Sequence, residues 1–341
     1  MSLYDPHAII EIEGQTFDSF RNKSFFSSLN VQLTTNEASQ VDFTVIDELY
    51  DFLNGFARSD GVPLAPALVW LGFGNDLGEP VFDGLLAGVG HGDDKSTLKF
   101  FDRSLLMRLH QKTEYHKGLD VDVIKKLGAR NGLEFEGPGS SFKGLPLKSK
   151  KQEAQTDWEF AMSLAEDAGL VLFVRGNTLF AKLPARTGEP AISFGRRDAR
   201  VLRSTDQQYK VPENIEGRPR RVEVRGRGRG GKRLTGVSDE SRRGHTHVVI
   251  NRSIKHASAT EARRRAQAKK ELKREHAFNC RIRSLLQVQP HVDVRQTIEL
   301  LDHGLIFSGK YLVDKVEHSF GPGKLETDYD LYRDIEDIGR F

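Results

Sequence analysis

The sequence predicts an α+β protein that is mainly β, with two antiparallel β-domains separated by a small α/β insert. Three observations carry this. Short alternating strands recur at roughly ten-residue spacing through residues 8–110, broken by Gly and Pro, as in a barrel or a sandwich. A helix followed by a hairpin interrupts that pattern at 156–183, and β-type alternation returns after 191. Finally, Val81–His91 is echoed by Ile306–His318: both run aliphatic, Phe, small polar, Gly, a short apolar stretch, Val, one residue, His. Two copies of one β-unit suggest a protein that builds by repetition, which a single active site does not need. The alternative is two unrelated strands that share a Gly. The expected boundaries are 1–108, 109–190 and 191–341, with a basic helix at about 258–276 in the last.

In the first part, Ile9–Phe17 reads as a hairpin turning at Glu13-Gly14-Gln15. Phe26–Leu33 and Ala38–Ile46 alternate, with Val41, Phe43 and Val45 on one face and Asp42 and Thr44 on the other. Asp47–Phe56 reads as a short helical segment. Leu68–Phe73, the first copy of the echo and Ser96–Phe101 complete the sheet.

The character then changes. Ser104–Gln111 and Asp120–Gly128 read as helices, the second with Val121, Ile124 and Leu127 on one face and Gly128 as its C-cap. Lys148–Lys151 reads as a basic linker. Thr156-Asp157-Trp158-Glu159 is a capping box that opens an apolar-striped helix ending at Gly169. A hairpin follows, with Arg175-Gly176-Asn177 at its turn.

In the last part, Arg220–Arg225, His247–Ile250, Cys280–Val288, Thr297–Leu301 and Ile306–Val316 read as strands. Ser258–Glu261 is a second capping box, opening the basic helix. Gly321-Pro322-Gly323 turns a final hairpin with Leu325, Thr327, Tyr329 and Leu331 on one face.

Composition narrows the function classes. Hydrophobic residues make up 38% and aromatics 9%, with 21 Phe, which fits ordered cores. Cys280 is the single cysteine, so an intrachain disulfide and a CxxC zinc site are both excluded. The start has no basic and apolar leader pattern, and no run approaches the ~20 apolar residues that span a bilayer. Synthesis in a reducing cytoplasm and no direct membrane insertion are therefore expected. The net charge of +3 is unevenly spread: residues 1–200 hold 22 Lys/Arg against 28 Asp/Glu, and residues 201–341 hold 29 against 20.

The tract Arg225-Gly226-Arg227-Gly228-Arg229-Gly230-Gly231-Lys232-Arg233 has two readings. One is a solvated loop between strands, with Arg225, Arg227, Arg229 and Arg233 as candidate contacts to another subunit or a threaded chain. The other is a nucleic-acid-binding segment acting with the basic helix. The tract lacks interleaved aromatics, and no helix-turn-helix or zinc pattern frames the helix, so sequence-specific DNA recognition is not expected. His245 and His247, with Asp239, form no clear metal set, and Cys280 reads as packed within a strand. No nucleophile elbow, His-Glu-x-x-His or isolated carboxylate pair is present, so neither catalysis nor a cofactor is expected.

Three segments, in order, resemble one family. Phe307-Ser308-Gly309-Lys310-Tyr311-Leu312-Val313 through Val316 and His318, then Thr327, Leu331 and Arg333, resembles the closing motif of phage late control protein D. That β-hub is shared by VgrG-type spikes of type VI secretion and by contractile-tail baseplate hubs. Thr156–Leu170 is similar to the family's Ser-Asp-x-Glu-Phe helix. Val81–Leu86, followed by Phe101-Asp102-Arg103 and Leu105, also fits, and Ala257–Gln267 looks like the Ala-rich helix before the last sheet.

The resemblance implies two tube-like β-barrel domains per chain and a homotrimer. Its six β-units would match a six-fold tail tube on one side and a three-fold spike on the other. Implied partners are the tail tube protein, a separate spike protein (the chain carries no needle-like extension before Phe341), the tape-measure protein and baseplate wedge proteins. The implied location is the baseplate of a virion or tail particle. Two features depart from the family pattern: the length of the Gly/Arg tract, and Gln289-Pro290-His291-Val292 where a Pro-Gly turn is expected.

Overall fold

A computed structural model describes residues 5–47, 64–198, 201–209, 221–227, 233–237, 247–255, 276–284 and 292–334, apart from Ser24, Asn36, Asp76, Asp93, Ser141, Lys143 and Leu145. The first hairpin joins β1 (Pro6–Ile12) to β2 (Gln15–Asp18) through Glu13 and Gly14. Their φ angles of 50° and 81° are the left-handed pair that a two-residue hairpin turn requires. Then come β3 (Phe26–Thr34), β4 (Gln40–Ile46), β5 (Pro66–Phe73), β6 (Phe82–Gly92) and β7 (Lys95–Asp102). The middle of the chain holds α1 (Leu105–Arg108), β8 (Gln111–Leu119), α2 (Asp120–Arg130), β9 (Glu134–Glu136), β10 (Pro146–Thr156), α3 (Asp157–Ala168), β11 (Val171–Arg175) and β12 (Thr178–Lys182). The remainder is β13 (Pro190–Gly195), β14 (Val201–Tyr209), β15 (Arg221–Arg227), β16 (Arg233–Val237), β17 (His247–Lys255), β18 (His276–Ser284), β19 (Thr297–Leu301), the helical turn α4 (Gly304–Phe307), β20 (Gly309–Gly321) and β21 (Lys324–Asp334).

The chain is mainly β, as its alternation predicts. Thirteen strands join one sheet in the order β14-β18-β21-β20-β3-β4-β7-β6-β5-β1-β2, with β13 and β19 branching from β20. The first and last parts of the chain thus meet edge to edge, Lys315 opposite Thr34 and Phe320 opposite Leu29. Their apolar faces form one core. Val41, Phe43 and Val45 are fully buried in it, together with Tyr329 and Leu325. Phe26 packs against Phe43 at 4.9 Å and edge-on to Phe320 at 5.3 Å, tying the two parts together.

Strand β20 makes the junction. One edge pairs with β21 over most of its length. The other edge pairs first with β19, at Gly309 to Leu312, and then with β3, at Lys315 to Phe320. Asp314 is the extra residue of a bulge against β21, placed where the partner changes. A bulge bends a strand and increases its twist, which lets one strand serve two sheet directions.

A second core, running from Met107 to Ala181, belongs to the helices and short strands of the middle segment. The capping box forms as predicted. Thr156 Oγ1 accepts from the Glu159 N–H at 3.2 Å, and Glu159 accepts from the Thr156 N–H at 2.8 Å. Gly169 closes the helix at φ 78°, a left-handed value that suits glycine.

Four expectations are corrected. The helix at 104–111 is only the four residues of α1, because Gln111 onward pairs with β10. The stretch Lys148–Lys151 is not a linker but lies within β10, and Lys150 reaches Asp167 of α3 at 3.1 Å. Helix α2 runs through Gly128 to Arg130 and is capped by Asn131. Gly128 is needed there for packing, since a Cβ would lie 2.9 Å from Leu179 Cδ2. Ile306 and Phe307 sit in α4, and the strand begins only at Gly309. The segment expected to be helical at 48–56 and the basic helix, short of His276, lie outside the described residues.

Replacing Thr156 with Ala is expected to lower stability by about 1 kcal/mol, read by thermal denaturation, with Thr156→Ser recovering most of it.

Candidate functional site

Two of the four sequence-predicted arginines, Arg225 and Arg227, close β15, and Arg233 opens β16. These strands pair as a hairpin that sets Arg227 opposite Arg233 and Arg225 opposite Thr235. On its other side β15 runs parallel to β17, with Arg225 opposite Asn251 and Arg227 opposite Lys255. The tract is therefore not loop throughout. β15 continues to Arg227 because both neighbours satisfy its backbone. Arg229 lies outside the described residues, as do His245 and Asp239. His247 opens β17, and Cys280 sits in β18 opposite Leu331. Among the described residues no His/Cys/Asp/Glu group is arranged to hold a metal, and no helix is long and apolar enough to cross a membrane.

A set of long-range polar contacts lies elsewhere, where the middle segment meets the sheet around a cavity of about 470 Å³. Asp102, 4% exposed at the end of β7, accepts from the Ser39 N–H at 2.6 Å and the Ser104 N–H at 2.9 Å. Burial pushes its carboxyl up, against the downward pull of those hydrogen bonds and of the Arg175 charge. Arg175, at the tip of β11, donates to both carboxylate oxygens of Asp293, at 3.2 and 3.1 Å, and to Ser39 Oγ at 2.9 Å. A planar fork on a carboxylate fixes orientation as well as distance.

A second arginine returns the contact. Arg295, two residues past Asp293, donates to the Leu183 carbonyl at 2.7 Å and lies 4.9 Å from the Phe173 ring. The turn at 293–295 and the β11–β12 hairpin therefore hold each other through two reciprocal arginines. Arg103 adds a contact to Asp83 across the β6–β7 pair, at 3.0 Å. Sequence reading placed Arg175 in a turn and gave it no role. Its partners are 118 and 136 residues away, so no local spacing points to them.

Within the middle segment, Asp157 anchors α3 to its surroundings. Burial pushes its carboxyl up, but Arg130, Asn131 and Gln152 all donate to it and hold it at about 2. Lys112 lies 3.5 Å away, and Arg130 also bridges to Glu114.

The echoed segments differ at one end and agree at the other. Phe82 lies in a strand, and a Cβ on Gly84 would fall 2.3 Å from the Phe101 carbonyl oxygen. Phe307 lies in α4, and Gly309, at φ 132°, is overlain by Arg333, which donates to the Ser308 carbonyl at 2.7 Å. At the far end, His91 meets Ser96 and His318 meets Thr327, each 2.8 Å away and directly across the next strand of its hairpin.

The whole chain superposes on solved tail proteins. The tail protein from Neisseria meningitidis MC58 matches with a TM-score of 0.71 at 14% identity, over 97% of each chain. The 43 kDa tail protein of prophage MuSo2 from Shewanella oneidensis matches with a TM-score of 0.66 at 12% identity, over 96% of this chain and 98% of that one. The E. coli c3393 protein, a type VI secretion component with structural similarity to the T4 tail proteins gp27 and gp5, matches with a TM-score of 0.58 at 11% identity. That match covers 97% of this chain and 78% of the other. No family model and no curated protein matches the chain. At these identities the likeness is one of fold: the chain shares the fold of these tail proteins.

Two outcomes test this geometry. Arg175→Ala is expected to cost about 1–2 kcal/mol, because Asp293 remains half-exposed and keeps its water. Amide exchange is expected to speed up in residues 171–182 and stay unchanged in β3 and β4. For Asp157, a folded value near 2 lies below the ~3.9 of an unfolded Asp, so its contribution is full above about pH 4 and fades as pH falls toward 2. Asp157→Asn is expected to be less stable than wild type at pH 7, with the gap in melting temperature closing between about pH 4 and 2.

Proposed function

We propose that this chain is the structural baseplate hub of a contractile tail, in a phage, a tailocin or an injection system. In this reading three copies form a pseudo-six-fold adaptor, with the tail tube on one side and the central spike on the other. The observation that carries it is the end-to-end agreement of fold with a solved tail protein, covering 97% of both chains. A match of that extent leaves little of the chain for an unrelated catalytic domain. Tube protein, spike, tape-measure segment and wedge proteins are the partners this role requires, and no cofactor enters it. The particle's baseplate is its place, after synthesis in the host cytoplasm. The domains of this reading are 1–108, 109–190 and 191–341, the middle one set between the tube-forming two.

The β15–β16 hairpin, with Arg225, Arg227 and Arg233 near its tip, serves in this reading as a contact to another subunit or to a threaded chain. Obligate contacts of this kind bury on the order of 2,000 Å² or more. Mass measurement in solution is the first test. A trimer that does not bind DNA is expected; a stable monomer with salt-sensitive DNA affinity would overturn the hub reading in favour of nucleic-acid binding. Replacing Arg225, Arg227 and Arg233 together with Ala is expected to weaken assembly or spike docking, and unchanged assembly would remove the hairpin from the interface.

A further inference from the structure

The two β-units of the chain repeat each other strand by strand. Along the large sheet, β14-β18-β21-β20 is followed directly by β3-β4-β7-β6. Their registers coincide. Thr327 of β21 lies opposite His318 on one side and Ser284 on the other, as Ser96 of β7 lies opposite His91 and Val45. Their irregularities coincide as well. The β14–β18 ladder skips a residue just after Val201 meets Ser284, and the β3–β4 ladder skips one just after Phe26 meets Val45. Asp314 of β20 and Ala87 of β6 are both bulged out, each four positions before its histidine (314 to 318, 87 to 91).

At its bulge β20 leaves β19 and takes β3 as its neighbour from Lys315 to Phe320. Strand β6 pairs with β5 from Phe82 to Leu85 and bulges in the same way. Over residues 88–92, however, its edge away from β7 has no strand beside it among the described residues. Exposure follows the difference: Val316 is fully buried, whereas Val89, at the same place in its unit, is 38% exposed. A Cβ on Gly88, Gly90 or Gly92 would meet nothing within 4 Å, so packing among the described residues does not require glycine there. Glycine within a strand often marks the close approach of another backbone. At the far end of the sheet β14, the counterpart of β3, pairs with β18 and has no second neighbour among the described residues.

We propose that the open edge of β6 at residues 88–92 receives β14 of a second copy of this chain, antiparallel and in the register that β20 and β3 share within one chain. Each strand then satisfies the other's free backbone groups, and Val89 gains the cover that Val316 already has. Because two different edges meet, the contact is head to tail and forms a ring when the third copy closes it. The inference rests on the trimeric hub reading and gives that trimer its seam. In this register Gly92 lies opposite Thr205, as Ser319 lies opposite Asn30.

The test combines Gly92→Cys with Thr205→Cys in a Cys280→Ser background, followed by mild oxidation and a non-reducing gel. Residues directly opposed on antiparallel strands lie within disulfide reach. Wild type is expected to have the mass of a trimer in solution. The paired substitutions are expected to give covalent two-chain and three-chain species, and each single substitution at most pairs. Asn30→Cys with Ser319→Cys, the same position in the ladder within one chain, is expected to close without a change in mass. Val89→Glu is expected to need roughly tenfold more protein to assemble, because it carries a charge into a covered place. It carries the test if the cysteine variants fail to fold by circular dichroism. A trimer without the 92–205 cross-link, or wild-type assembly of Val89→Glu, overturns this contact and leaves the hub reading standing. A wild type that is monomeric at every concentration overturns the trimer itself, and this contact with it.

Discussion

Strand β20 is attached to more of the molecule than any other described element, and its geometry constrains the rest. It shares one edge with β21 and divides the other between β19 and β3, changing partner at the Asp314 bulge. Without that bend, one straight strand would have to align with two sheet directions at once. The first and last parts of the chain would then lose their common ladder, and with it the packing of Phe26 on Phe320. Arg333 secures the start of the same strand by holding the Ser308 carbonyl above Gly309.

The middle segment has its own core, so its internal stability does not fix its place on the sheet. That placement falls to a few directional polar contacts: Arg175 on Asp293 and Ser39, Arg295 on the Leu183 carbonyl, and Asp102 beneath them. Apolar contacts of similar area would hold the two bodies together but tolerate sliding. Forked guanidinium–carboxylate pairing does not, because both distance and angle must be met.

Much of the fold was legible in the sequence where the governing contacts are local. Alternation gave the β3, β4 and β19 strands, and Thr156 with Glu159 gave the start of α3. What was missed depends on distant partners. Lys148–Lys151 looked like a linker because the acid that receives Lys150 sits in the following helix and β8 lies more than thirty residues upstream. Gly128 looked like a cap because the side chain that requires its smallness, Leu179, belongs to another strand. The resemblance motifs carried more than they first showed. Asp83 and Asp102 line the junction, with Arg103 on Asp83 and Gly84 packed close to Phe101, Asp157 and Glu159 anchor α3, and Gly309, His318, Thr327 and Arg333 brace β20 and β21. Of the candidate arginines, the sequence supplied the residue type and the structure supplied the hairpin register.

The pairing of β3 with β20 also sets a clock. Thr34 leaves the ribosome long before Lys315, and at about 5–20 residues per second the delay is on the order of tens of seconds. Throughout that interval the edge of β3 at residues 29–34 waits for β20, and an open edge of this kind recruits strands from other chains. Newly made copies crowded on one message would expose the same edge together. Shielding of this edge during synthesis, by a chaperone or by spaced translation, would therefore bear on the yield of folded protein as much as the stability of the finished chain does.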